Sequence, residues 1–258
     1  YMRAKLSYLP SPRTSVLKIR THPASFLYES TPFDDLQFTC RRDFEEWEPV
    51  SRCFFALAAR EAGHVLDVGA YSGVYSITAA IANEEASVLA LEPNPLMYRL
   101  AVANIGRNGL TGRAIVKPIA AGDDSGMVRL YLPEHSSMAT LVEEGDDFVE
   151  VQQEPLDALL EGQALHLMKV DVEGGESAVF RGAQETLSRW QPIILAEALS
   201  DQELLRQREI LSLLGYADPV PVYPPSEHGD SRNFIWASVR DRARLERLLQ
   251  EARQLAVP

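Results

Sequence analysis

The chain reads as an α/β protein, a mostly parallel sheet with helices on both faces. Three observations carry that reading. Short apolar runs alternate with helical stretches along most of the chain. The runs lack the strict polar–apolar alternation of a half-exposed strand, as strands buried on both faces do. The turns after the first two hold glycine or proline beside an acid. A length of 258 residues suits one domain with an appendage, and 46% hydrophobic residues supply a core for it.

Residues 1–45 form the appendage. Pro10, Pro12, Pro23 and Pro32 break it into pieces, with short strands or extended arms at Val16–Arg20 and Ser25–Tyr28. It reads as a cap, or as an arm through which two copies could form a homodimer. The main domain spans 46–258. Glu45–Arg60 has helical spacing, with Trp47, Val50, Phe54, Leu57 and Ala58 on one stripe. Strands are expected at His64–Val68, Ser87–Leu91, Ala114–Ala120, Leu165–Val172 and Pro192–Ala196, and helices at Val74–Ala82, Pro95–Gly106 and Glu176–Trp190. Pro95 suits a first helical position, and Asn108-Gly109 supplies a stop. A hairpin is expected at Gly126–Pro133, and Glu143–Asp157, with seven acids and no base, reads as a solvated loop or exposed helix. Two last strands near Tyr216–Tyr223 and Asn233–Val239 precede a helix with Leu245, Leu248, Leu249 and Ala252 on one side.

Composition narrows the partners. Lys and Arg number 25 against 37 Asp and Glu, a formal charge of −12. Nucleic-acid binding relies on basic patches, and an anionic membrane surface repels such a chain. No apolar run is long enough to span a bilayer, and no leader-like segment follows Tyr1. Cys40 and Cys53 have no metal or redox spacing, which fits a reducing, cytoplasmic setting.

The richest stretch is Val65-Leu66-Asp67-Val68-Gly69-Ala70-Tyr71-Ser72-Gly73, a buried strand feeding a turn with glycines four apart. A dinucleotide fingerprint needs Gly where Tyr71 and Val74 stand, and no Gly-Lys-Ser/Thr of a phosphate loop follows. Asp67 would repel a pyrophosphate but suit a sulfonium or ammonium. Leu91-Glu92-Pro93-Asn94-Pro95 ends the next strand, where a carboxylate can accept from both hydroxyls of a ribose. A glycine turn without a pyrophosphate signature plus a ribose-binding acid points to S-adenosylmethionine. The plainer alternative makes Asp67 a helix cap and Glu92 a surface acid.

With Asn104–Asn108, Ala120-Ala121-Gly122-Asp123, Met168-Lys169-Val170-Asp171-Val172-Glu173-Gly174-Gly175-Glu176, Arg181-Gly182-Ala183 and Glu197, these stretches resemble the FkbM-like S-adenosylmethionine-dependent methyltransferases over about Glu48–Trp236. The Lys-x-Asp-x-Glu-Gly-x-Glu segment is the distinctive part. The family places Asn where Tyr71 stands and Ile or Val where Ser72 stands. The resemblance implies a Rossmann-like class I methyltransferase sheet of seven strands, the last antiparallel. It also implies O-methylation of a small-molecule acceptor such as a sugar or secondary metabolite.

On that reading Asp67, Gly69, Ala70, Tyr71, Gly73, Glu92, Pro93 and Asn94 hold the cofactor, and Ala121 and Asp123 neighbour adenine. Asp171 stands closest to the transferred methyl, with Glu173 and Glu197 positioning the acceptor. An alcohol must lose a proton, which a base or a hard cation assists. Asp171, Glu173 and Glu197 could form an oxygen site for Mg²⁺; the alternative leaves Asp171 on the cofactor and Glu173 as a helix cap. His228, in a rim loop, is a second candidate base, as is His135, whereas His166 within its strand reads as a core residue. An amine acceptor and a non-catalytic cofactor-binding subunit are the competing functions.

Overall fold

The computed structural model describes residues 15–20, 25–30, 47–132, 141, 147–223 and 232–256. A hairpin of β1 (Ser15–Arg20) and β2 (Ser25–Ser30) opens the described chain, and helix α1 (Pro49–Ala59) leads into the domain. The main alternation runs β3 (His64–Val68), α2 (Val74–Ala82), β4 (Ser87–Leu91), α3 (Pro95–Arg107) and β5 (Ala114–Lys117). It resumes with β9 (Leu167–Val170), α5 (Glu176–Arg181), α6 (Gln184–Trp190), β10 (Ile193–Glu197) and α7 (Asp201–Leu213). It closes with β11 (Val220–Pro221), β12 (Asn233–Trp236) and α8 (Arg242–Leu255).

These strands form one seven-stranded sheet in the order β11-β12-β10-β9-β3-β4-β5. β9, β3, β4 and β5 pair in parallel, and β10 is parallel to β9. β12 runs against both β10 and β11, so it alone is reversed. This is the expected class I methyltransferase sheet.

The apolar runs do not alternate because each strand is buried twice. Val65, Leu167, Ile193 and Leu195 join a core with α1, α2 and α8; Leu66, Met168, Val170, Ile194 and Ala196 join a second core with α5, α6 and α7. α1 is enclosed all round from Val50 to Ala59, not striped, because α2 and α8 pack on it. β2 docks on α3: Asn108 accepts from the Leu27 N–H and donates to its carbonyl, and Phe26 and Tyr28 are buried.

The structure corrects several boundaries. The run Ala114–Ala120 is two strands, because Pro118 offers no N–H to a ladder. β5 ends before it, and β6 (Ile119–Ala121) joins a separate three-stranded sheet with β7 (Gly126–Tyr131) and β8 (Phe148–Glu154). β7 therefore pairs antiparallel with the distant β8. Part of the acidic stretch read as a loop or helix is that strand, with Val149 and Val151 inward and Glu150 and Gln152 outward. The helix expected over Glu176–Trp190 breaks at Gly182, where a Cβ would lie 1.9 Å from the Gly122 carbonyl oxygen. Helices α4 (Leu156–Leu160) and α7 were not anticipated. α7 buries Glu203, Gln207 and Leu211, so its inward face is not an apolar stripe. His166 is exposed, not in the core; at the amino-terminal edge of the sheet its Nδ1 accepts from the His64 N–H and its ring stacks on that of His64.

Candidate active site

Carboxyl ends of β3, β4, β9 and β10 open onto one cavity of about 520 Å³, within the range of small-molecule sites. One wall is the turn after β3. Gly69 has φ 76°, and a Cβ there would stand 1.8 Å from the Asp171 carbonyl oxygen, so only glycine fits. The Gly69 and Ala70 N–H groups both donate to the Leu91 carbonyl, which fixes the turn to the end of β4.

Tyr71 takes φ 49°, a left-handed conformation that Asn adopts more readily than an aromatic residue. That twist aims its N–H at Glu92 Oε2, 2.6 Å away, while the Asn94 N–H donates to Oε1 at 2.8 Å. Each Glu92 oxygen keeps a second lone pair, and the side chain lines the cavity. Burial pushes its carboxyl up to about 8, against the pull of the two N–H donors. Ser72, where the family has an aliphatic residue, accepts a buried hydrogen bond from the Tyr28 hydroxyl at 2.7 Å.

The other wall is acidic. Asp171, Glu173 and Glu197 each place a carboxylate oxygen within 4.8 Å of the others. Lys169, 1% exposed, donates to Asp171 Oδ2 at 2.7 Å and stands over the Tyr75 ring at 5.1 Å. Burial pulls the Lys169 ammonium down, but Asp171, Glu48 and Glu197 together outweigh it and hold the lysine charged. Burial, then the Asp171 charge, pushes the Glu197 carboxyl well above the ordinary range, and its Oε2 is buried without a hydrogen-bond partner. Glu176 shapes this wall from beneath: Oε1 accepts from the Val172 and Gly174 N–H groups, and burial raises its carboxyl to about 7.

Of the residues selected from the sequence, Gly69, Ala70, Tyr71, Glu92, Pro93, Ala121, Asp171, Glu173 and Glu197 line this cavity. Four others lie outside the lining. Asp67 is buried, accepts from Ser76 Oγ at 2.6 Å and so ties β3 to α2; burial raises its carboxyl to about 6. Gly73 caps α2 against Ala101, Asn94 caps α3 through the Leu96 N–H, and Asp123 pairs with Arg181 at the surface. His228 and His135 lie outside the described residues. Lining residues given no role from the sequence include Lys169, Glu48 and Gln153. Only Lys169 carried a signal, a lysine inside a buried strand two residues before an acid, hence on the same strand face.

Residues 67–238 match the family model described as the methyltransferase FkbM domain, two thirds of the sequence. The chain belongs to the FkbM methyltransferase-domain family. No curated protein matches it. Among solved structures, the methyltransferase FkbM from Methylobacillus flagellatus KT overlays with a TM-score of 0.51 at 18% identity, covering 68% of this chain and 43% of that one. The FkbM-family chain thus spans less than half the length of that protein. A precorrin-6y C5,15-methyltransferase from Geobacter metallireducens GS-15 gives 0.47 at 15% identity over 74% of this chain and 87% of the other. An O-methyltransferase from Bacillus cereus in complex with SAH gives 0.48 at 14% over 80% and 87%. At 18% identity the overlay on the Methylobacillus protein speaks for the fold alone. Among its described residues no helix is long and apolar enough to cross a membrane.

Proposed function

We propose that this FkbM-family chain transfers a methyl group from S-adenosylmethionine to a hydroxyl of a small molecule. The observation that carries the reading is one cavity with two unlike walls: a glycine turn with an anchored carboxylate, and a carboxylate cluster around a buried lysine. The first wall fits the donor. Gly69 and Ala70 present a turn without bulky side chains, and Glu92 offers two oriented acceptors to a ribose diol. Bound there, S-adenosylmethionine supplies an electrophilic methyl group.

The second wall serves the acceptor. A hydroxyl held against Asp171 and Glu197 has its oxygen oriented and its proton directed onto a carboxylate. Lys169 fixes the Asp171 carboxylate through a 2.7 Å bond, and Glu197, with its raised proton affinity, is the stronger base when ionised. That carboxylate would take the hydroxyl proton as the oxygen–methyl bond formed and the donor's sulfur–methyl bond broke, with the neutral thioether as leaving group. His228 stands as an alternative proton acceptor. A hard cation such as Mg²⁺ is a second reading, favoured by the convergence of three carboxylates within 4.8 Å. Lys169 already occupies one side of that cluster, which favours the metal-free form.

Calorimetry with S-adenosylhomocysteine, beside a nicotinamide dinucleotide and a nucleoside triphosphate, tests the donor site; heat with either control and none with the adenosyl ligand ends the reading. Radiolabelled methyl transfer to matched alcohols and amines tests the reaction. Methylated amines alone would make it an N-methyltransferase. Binding without transfer to either class would make it a cofactor-binding subunit. Transfer abolished by EDTA and restored by Mg²⁺ would establish the metal.

A further inference from the structure

Five non-glycine residues among those described take left-handed backbone, and two of them, Glu161 and Gln191, simply end helices. The other three, Glu48, Tyr71 and Glu173, all line the cavity. Glu48 is the one outside residues 67–238, on the segment that enters α1. Its carboxylate is clamped: Oε2 accepts from the Tyr75 hydroxyl and Oε1 from Asn233 Nδ2, both at 2.5 Å. Asn233 lies opposite Glu197 in the β10–β12 register. Glu48 thus bridges α2 and the start of β12. It shares the acidic wall, where its charge acts on Lys169 and Glu197, and so stands with the residues proposed to meet the acceptor.

We infer that Glu48 is a specificity-determining residue of the acceptor site, which takes a group rich in hydrogen-bond donors and refuses an anionic one. This rests on the proposed methyl transfer and extends it to the chemistry of the acceptor. Five carboxylates (Glu48, Glu92, Asp171, Glu173 and Glu197) line the cavity against one ammonium, Lys169, among the described residues. Lys169 is already committed to Asp171. An incoming carboxylate or phosphate meets acceptor lone pairs and a lone lining cation that is already paired, whereas hydroxyl or ammonium protons find acceptors. Trp47, edge-on to Tyr75 with ring centroids 6.0 Å apart, adds an apolar face beside Glu48.

The test uses the full chain saturated with S-adenosylhomocysteine and three probes of one shape: methyl glucoside, its 2-amino analogue and methyl glucuronide. Saturation-transfer NMR gives their affinities. The neutral and aminated probes should bind, and the glucuronide should bind at least tenfold more weakly. Glu48→Gln should narrow that gap at least threefold while leaving S-adenosylhomocysteine affinity within twofold. Glu48→Asp, which keeps the charge, should preserve it. If both variants fail to fold, the wild-type gap decides. A glucuronide that binds as tightly as the glucoside, no binding by any probe, or a gap untouched in folded Glu48→Gln overturns the inference without touching the donor reading. Failure of the wild type to bind S-adenosylhomocysteine overturns the methyl-transfer reading itself.

Discussion

Gly69 and Asp171, 102 positions apart in sequence, touch back to back: a methyl on the first would collide at 1.8 Å with the carbonyl of the second. The contact locks the glycine turn to the strand end that carries the acidic wall. Gly69→Ala forces a left-handed alanine and this collision together. A loss of about 3 kcal/mol or more is expected, read as a fall in the urea midpoint. A midpoint within error of wild type would show that the two walls are not coupled.

Glu92→Gln keeps the size of the side chain but sets an amide N–H against one of two backbone donors, and so takes away one of the acceptors offered to a diol. Affinity for S-adenosylhomocysteine should fall about 10- to 100-fold, in line with the roughly 1–3 kcal/mol cost of a buried donor left without its partner. Calorimetry checks it.

Lys169→Met leaves Asp171, Glu48 and Glu197 around an apolar chain of similar length. Removing one partner of a buried pair costs about 3–5 kcal/mol. Thermal denaturation near neutral pH should show a large fall in Tm.

Stability should also depend on pH in a stated direction. Asp67, Glu92 and Glu176 have folded values near 6, 8 and 7, each raised by burial above the ordinary carboxylate range. Folding then holds protons that the unfolded chain has released, so these groups stabilise most below about pH 4 and lose that contribution as pH rises to about 8. The ligand-free protein should lose about 5 °C or more of Tm between pH 5.5 and 8.5. Glu92→Gln should flatten the upper part of that slope.

Tyr28→Phe removes the hydroxyl donated to Ser72 and should cost about 1 kcal/mol. Ser72→Val, the family-like residue, leaves the Tyr28 hydroxyl buried without that acceptor and should cost more. The double variant should be less damaging than the sum, a coupling that a double-mutant cycle reads directly.

Sequence reasoning found what strand ends dictate. β3 and β4 match their expected bounds because burial on both faces leaves an unmistakable apolar run, and Gly69, Glu92 and Asp171 follow as the residues just past such runs. It failed where burial is polar or pairing is distant. α7 turns Glu203 and Gln207 inward, where they accept from Ser177 and donate to the Glu197 carbonyl, so no apolar period marks it. β8 hides a period of two among acids, and its partner β7 lies across residues no local pattern connects. Near the site, Asp67 and Asn94 lie outside the cavity lining, one bonded to Ser76 on α2 and the other capping α3, contacts that no local pattern announces. Glu48 was invisible because its neighbours in space, Tyr75 and Asn233, lie 27 and 185 positions away.

Tyr28 and Glu48 have a practical consequence. Both precede the 67–238 stretch that the family shares, yet one braces the turn after β3 and the other lines the cavity. An excised piece beginning near His64 would lack its first helix, a tether and part of its pocket. A transplantable folding unit must start upstream of β2, and under the proposal for Glu48, swapping that leading stretch between relatives would carry acceptor preference with it.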